Sequence, residues 1–207
     1  MPQLATRQRW FVTVEDFRKN LDGGRKLETG DMLFSRDAGP WAAASGQFAQ
    51  AYDCAELRSC VRQLLFVRPS TVVVADRLRA APGARLPTVE WLLQVPAAPA
   101  SDGAALVVAD GKHWLRCRPV LPGATAAVSK TPVNTHRITY GYSESPQVDL
   151  VHVIEVGDGA AAGVAGSVVA RRSGGELEVD VGGSVFRFGA EPDWAVTSDA
   201  AVRPPPR

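Results

Sequence analysis

Two neighbouring runs, Arg62–Arg68 (RQLLFVR) and Thr71–Leu78 (TVVVADRL), constrain this chain more than anything else in it. Each is too short for a core helix and rich in the β-branched and large apolar residues that suit a pleated surface. Leu64, Leu65, Phe66 and Val67 follow one another without polar interruption. A continuous run predicts a strand covered on both faces rather than one with a wet side. Arg68-Pro69-Ser70 supplies the turn between the runs, so the pair predicts a central antiparallel hairpin.

The rest of the chain repeats the theme. Short apolar segments recur at Arg9–Val14, Met32–Ser35, Phe48–Tyr52, Leu57–Val67, Val89–Val95, Ala105–Ala109, Lys112–Val120, Thr135–Tyr142, Leu150–Val156, Gly163–Arg171, Glu176–Val181 and Ser184–Phe188. Asp110-Gly111, Gly174-Gly175 and Gly182-Gly183 punctuate them, and such pairs supply the positive φ of tight hairpin turns. Thr135–Tyr142 and Leu150–Val156 are expected to pair across Ser143–Pro146. The one helical candidate, Val14–Asn20, is short. The pattern predicts an all-β fold, a large two-sheet antiparallel β-sandwich of roughly a dozen strands. At 207 residues and 45% hydrophobic content, the chain can bury one substantial core. We expect a single domain over 1–200 and a disordered Pro-rich tail over 201–207.

Charge narrows the function classes. With 23 basic and 22 acidic residues the net charge is +1, and no basic run or stripe stands out. General nucleic-acid binding is not expected. An acidic polysaccharide would have to be held by a local cluster. No apolar stretch is long enough to cross a membrane as a helix, and no secretory leader follows Met1. The expectation is a cytoplasmic protein if the chain is complete, and a periplasmic or secreted one if it belongs to a longer exported parent. The three cysteines, Cys54, Cys60 and Cys117, show no metal-ligand spacing. Buried free thiols are expected, with a bridge from Cys117 to either of the others as the alternative.

Two strips could contact a ligand. Period-two geometry puts His136, Ile138, Tyr140 and Tyr142 on one face. One His and two Tyr could stack on sugar rings, or could form an aromatic cluster that only stabilises the sheet. Trp114, Arg116 and Arg118 likewise share a face. They could hold an anionic sugar by stacking and carboxylate pairing, or lie as Arg over Trp on a solvated face. His152, inside an apolar strand, is expected to be a core histidine. Asp76 and Arg77 are expected to pair and fix the following loop, with Arg62 in a similar part. Ser143-Glu144-Ser145 has no nucleophile elbow around it, and no glycine pair opens a phosphate loop.

The order of these segments resembles the C-terminal β-sandwich domain of heparinase II/III-like polysaccharide lyases. Arg9-Trp10-Phe11-Val12-Thr13-Val14-Glu15-Asp16 is similar to the family's opening strand, His-Asn-Thr-x-x-Val-Asp-Gly. Tyr52, Arg62–Phe66, Pro69 and Val72–Arg77 resemble a Tyr, an Arg before an apolar strand, and a Val-rich strand ending in Asp-Arg. Trp91-Leu92-Leu93-Gln94 resembles a strand that often ends in His. The resemblance implies a role beside acidic polysaccharide, and two departures qualify it. Arg9 and Gln94 stand at the family's histidine positions, and arginine has no lone pair for zinc. No metal and no cofactor are therefore expected. The family's α/α toroid, which supplies most of the catalytic groups, has no counterpart in this sequence. No catalytic residue is assigned, and the chain alone is expected to be inactive. It is expected to brace or complete a cleft on a helical toroid partner. The alternative is an independent carbohydrate-binding module, and a minimal lyase is a third reading. His136, Tyr140, Tyr142, Trp114, Arg116 and Arg118 are the candidate substrate contacts.

Overall fold

The computed structural model describes residues 2–4, 15, 30–52, 54–132, 135–159 and 167–199. The expected strand Arg9–Val14, Arg9 at the metal position and the tail 201–207 lie outside the described residues. So does the helical candidate Val14–Asn20, apart from Glu15.

The centre is an eight-stranded sheet. Its order is β2 (Asp31–Asp37), β3 (Trp41–Gln47), β4 (Leu57–Val67), β5 (Thr71–Ala80), β12 (Gln147–Asp158), β9 (His113–Leu121), β8 (Ala105–Asp110) and β7 (Ala100–Asp102). A four-stranded sheet covers part of one face, in the order β1 (Pro2–Leu4), β6 (Val89–Val95), β11 (His136–Tyr142) and β10 (Ala126–Lys130). Another covers the opposite face, with β13 (Val168–Ser173), β14 (Glu176–Val181), β15 (Ser184–Phe188) and β16 (Val196–Ser198) in sequence order. All pairings are antiparallel.

The all-β antiparallel sandwich predicted from the sequence is what the chain forms. It has three layers, and the described residues alone supply sixteen strands. The extra layer follows from side chains that are apolar on both faces of the central strands. On β5, Leu78 packs toward the β6–β11 sheet, while Val73 and Ala75 pack toward the β13–β16 sheet. On β12, Leu150 joins the first core and Val151 and Val153 the second. The β4–β5 hairpin forms as expected, with Val67 opposite Thr71 and Arg62 opposite Asp76.

Two expectations change. β11 and β12 do not pair. β11 lies between β6 and β10, and β12 between β5 and β9, so the chain changes sheet at Ser143–Pro146. Two consecutive apolar strands can face one another across a core as well as join edges, and here they face. Asp76 and Arg77 do not pair either, because neighbours in a strand point to opposite faces. Arg77 reaches the second core, where it donates to the carbonyls of Gly175 (2.9 Å) and Phe188 (3.0 Å). All three cysteines are free, as expected, with Cys60 and Cys117 buried and Cys54 only partly so.

Candidate functional site

The first core contains a polar seam. Asp76 sits mid-strand on β5, fully buried, facing the β6–β11 sheet. Arg62 lies directly opposite it on β4. The guanidinium donates from Nε to Oδ1 at 2.7 Å and from Nη2 to Oδ2 at 2.8 Å. This two-point geometry is the strong form of the Arg–carboxylate pair. From the facing sheet, Trp91 Nε1 donates to Oδ2 at 3.1 Å. Burial lowers the Arg62 pKa, but the Asp76 charge and its hydrogen bonds outweigh that and leave it raised.

The seam continues into aromatic rings. His152 of β12 lies flat on Trp91, and its Nε2 is 3.0 Å from the Tyr142 hydroxyl. Tyr140 leans against both Trp91 and His152. Burial, with the charge of Arg62 second, pushes the His152 pKa down from 6.5 to about 3. Burial also pushes the Tyr140 and Tyr142 phenols above their ordinary value. In this state His152 is a neutral imidazole and both tyrosines are neutral phenols at physiological pH. Tyr140 and Tyr142 thus face the core, as their alternation with Gly141 allows. His136 is half-buried at the start of β11, opposite Val95 and Lys130.

Arg62 is also where the seam meets an open surface. Residues directly opposite one another across a ladder share a face. On the face of Arg62, the rows run Met32–Gly46–Arg62 and Ser35–Ala44–Leu64. The β6–β11 sheet stops short of this half of the central sheet. Met32 is 71% exposed, Leu64 40% and Phe48 38%. The Phe48 ring lies where a Cβ on Gly46 would be, at 3.0 Å. An apolar patch therefore borders a cation whose side chain retains 17% exposure. Tyr52 is half-buried beside it, its phenol pushed up by burial.

The second strip divides. Arg116 is buried and pairs with Asp102 at 2.6 Å. Glu155 lies opposite Arg116 on β12, and burial raises its pKa against the pull of Arg118 and Arg116. Trp114 is half-buried, and its indole rests on Gly157. The strand alternation that groups Trp114, Arg116 and Arg118 holds, but Trp114 sits at the sheet end while Arg116 lies inside. Near the β8–β9 turn, His113 Nδ1 is 2.5 Å from Asp158 Oδ1. Period-two reading did not bring out that pair or the Arg62–Asp76–Trp91–His152 chain. Among the described residues no group of three or more His, Cys, Asp and Glu gathers as a metal site would require. Gln94 is exposed on β6.

No family model matches this sequence, and no curated protein matches it. Solved structures do. A heparinase III gene product superposes with a TM-score of 0.61 at 14% identity, covering 76% of this chain and 27% of that one. A heparan sulfate lyase from Pedobacter heparinus gives 0.55 at 12% identity, covering 91% of this chain and 33% of that one. Another heparinase III gives 0.57 at 17% identity, covering 76% and 26%. The chain spans about a third or less of the length of each. Its fold is that of a heparinase-like β-sandwich domain.

Proposed function

We propose that this chain is the sandwich module of a heparinase-like polysaccharide lyase, bracing or completing a cleft for acidic polysaccharide on a helical partner. The observation that carries the reading is the Arg62 guanidinium at the border of an uncovered apolar sheet face. An exposed apolar patch beside a polar rim is the usual mark of a docking surface. A cation held by Asp76 at that border could face a uronate carboxylate without being free to swing away. β-Elimination from a uronate needs carboxylate neutralisation, a base and an acid for the leaving oxygen. Arg62 suits the first task. His152 and Tyr142, the acid–base pair of the same seam, are enclosed in the core and bonded to each other, which supports a module that relies on its partner for the other two.

The test is a lyase assay of the purified chain with heparan sulfate, heparin and alginate, following ultraviolet absorbance of the unsaturated product. No turnover is expected from the chain alone. Turnover abolished by His136→Ala would place the machinery on the sandwich and overturn the reading. Heparan sulfate should nonetheless bind weakly, and Arg62→Gln should weaken it further. A second reading, an independent carbohydrate-binding module, is favoured by the half-buried Trp114 at the far end of the sheet.

A further inference from the structure

The described residues leave an open groove of about 610 Å³ at the end of the central sheet where the β4–β5 and β8–β9 turns meet. Its side chains from that sheet share one face. Val108, Leu115 and Val156 oppose one another across β8, β9 and β12, and so do Asp110, His113 and Asp158. Both rows keep the parity of Leu106, Cys117 and Ile154, which belong to the first core. Trp114 alternates to the other face, against Gly157.

The groove is open because its cover stops. β6 ends at Val95, which is buried in the first core, and Pro96 cannot continue a ladder. The last two rows of the central sheet project past that point, and Val156 is 42% exposed. Pro69 and Pro96 add hydrocarbon to the lining. Val156 N donates to the Ser70 carbonyl at 3.0 Å, and Gly159 N to that of Lys112 at 2.7 Å. Both turns are thus tied to the end of β12, and a groove formed in advance loses little on binding.

We propose that this groove docks a segment of a protein partner in which a lysine stands beside aliphatic residues. With Trp114 turned away, the floor is aliphatic and gives a sugar ring no stacking platform. The terminal row carries Asp110 and Asp158, and among the described residues no Lys or Arg lines the groove, not even Lys112 of the adjoining turn. His113 Nδ1 is 2.5 Å from Asp158 Oδ1, yet both side chains stay about two-thirds exposed, at 65% and 69%. Asp110 is exposed on the other side of His113. A sulfated or uronate glycan would meet carboxylates where it needs donors. A lysine meets both rows at once. Same-face rows are two residues apart along a strand, about 7 Å, which an extended lysine side chain spans. Its hydrocarbon stem can lie over Leu115 and Val156 with the ammonium against the acidic row. Aliphatic neighbours of that lysine cover the rest of the floor.

This inference goes beyond the lyase reading and stands on different residues. The experiment titrates the full chain with the acetylated, amidated peptide Gly-Leu-Lys-Val-Gly and follows amide chemical shifts. Saturable shifts are expected at millimolar peptide, at the amides of Asp110, Leu115, Val156 and Asp158, and they should weaken as salt is added. Asp110→Asn and Asp158→Asn should each lower the affinity about twofold or more, and the double variant should lose the salt dependence. Val156→Thr, which puts a hydroxyl in place of a methyl, should also lower it about twofold or more. Melting curves check that each variant is folded. The proposal is overturned by no saturable shift at these amides, or by equal affinity for the peptide with norleucine in place of lysine. Equal affinity for n-butylammonium alone would mark a small-amine site and overturn it too, as would heparin oligosaccharides that shift these same amides. The response of the Arg62 amide to heparin reports on the lyase reading separately.

Discussion

The imidazole of His152 lies on the indole of Trp91, with ring centroids 3.9 Å apart and planes inclined by 11°. That stack encloses a titratable group between two sheets. Its folded pKa of about 3 lies below the 6.5 of a free imidazole. As pH falls below about 6.5 the unfolded chain takes up a proton that the folded chain refuses. Stability from this group is therefore fully present above about 6.5 and declines until pH reaches about 3. The loss should be on the order of a few kcal/mol. Urea titrations between these limits should show it, and His152→Phe should flatten the slope. An unchanged slope in His152→Phe would count against this account.

Arg62 and Asp76 are coupled across the β4–β5 hairpin. Arg62→Met leaves a buried carboxylate with Trp91 as its remaining donor in the seam. Removing one partner of a buried pair typically costs about 3–5 kcal/mol. Adding Asp76→Asn should recover part of that loss, because the orphaned charge disappears. Chemical denaturation of the two single variants and the double variant measures the coupling.

Gly157→Ala should displace Trp114. The new methyl would meet Cζ2 at 2.5 Å and Cε2 at 2.7 Å, both atoms of a rigid ring. Overpacking of this kind costs about 1–3 kcal/mol. Urea denaturation should show the loss, and the indole emission should shift to longer wavelength as the ring leaves the backbone. Unchanged emission would mean that the backbone yields instead.

Thiol reactivity should separate the cysteines. Burial pushes Cys60 and Cys117 up to about 12, so almost no thiolate exists at neutral pH. Cys54 is only partly buried, although burial and its bond to Glu56 raise it too. A disulfide-exchange reagent should label Cys54 first and the other two only on unfolding, as peptide mapping would show.

Much of the fold could be read from the chain, for a local reason. Hairpins are set by turn chemistry and alternation, so β4–β5, β8–β9 and β14–β15 were legible from Pro69, Asp110-Gly111 and Gly182-Gly183. The Arg62–Asp76 pairing follows from the same turn, by counting outward from Val67 and Thr71. What the chain conceals is which sheet a strand joins. Tyr142 and Leu150 are equally apolar whether their strands pair edge to edge or face one another. That ambiguity also obscured the candidate site. His152 meets Trp91 and Tyr142 across two sheets, and no sequence spacing encodes a contact between layers.

The sheet order has a kinetic consequence. β12 is inserted between β5 and β9, placing Glu155 opposite both Thr71 and Arg116. The hairpins on either side can close early, since their partners are adjacent in the chain. The central sheet is continuous only after β12 arrives from far along the sequence, so folding should wait on that long-range closure. Until then, two half-sheets expose the edges of β5 and β9, and the chain is at its most vulnerable to association with other copies.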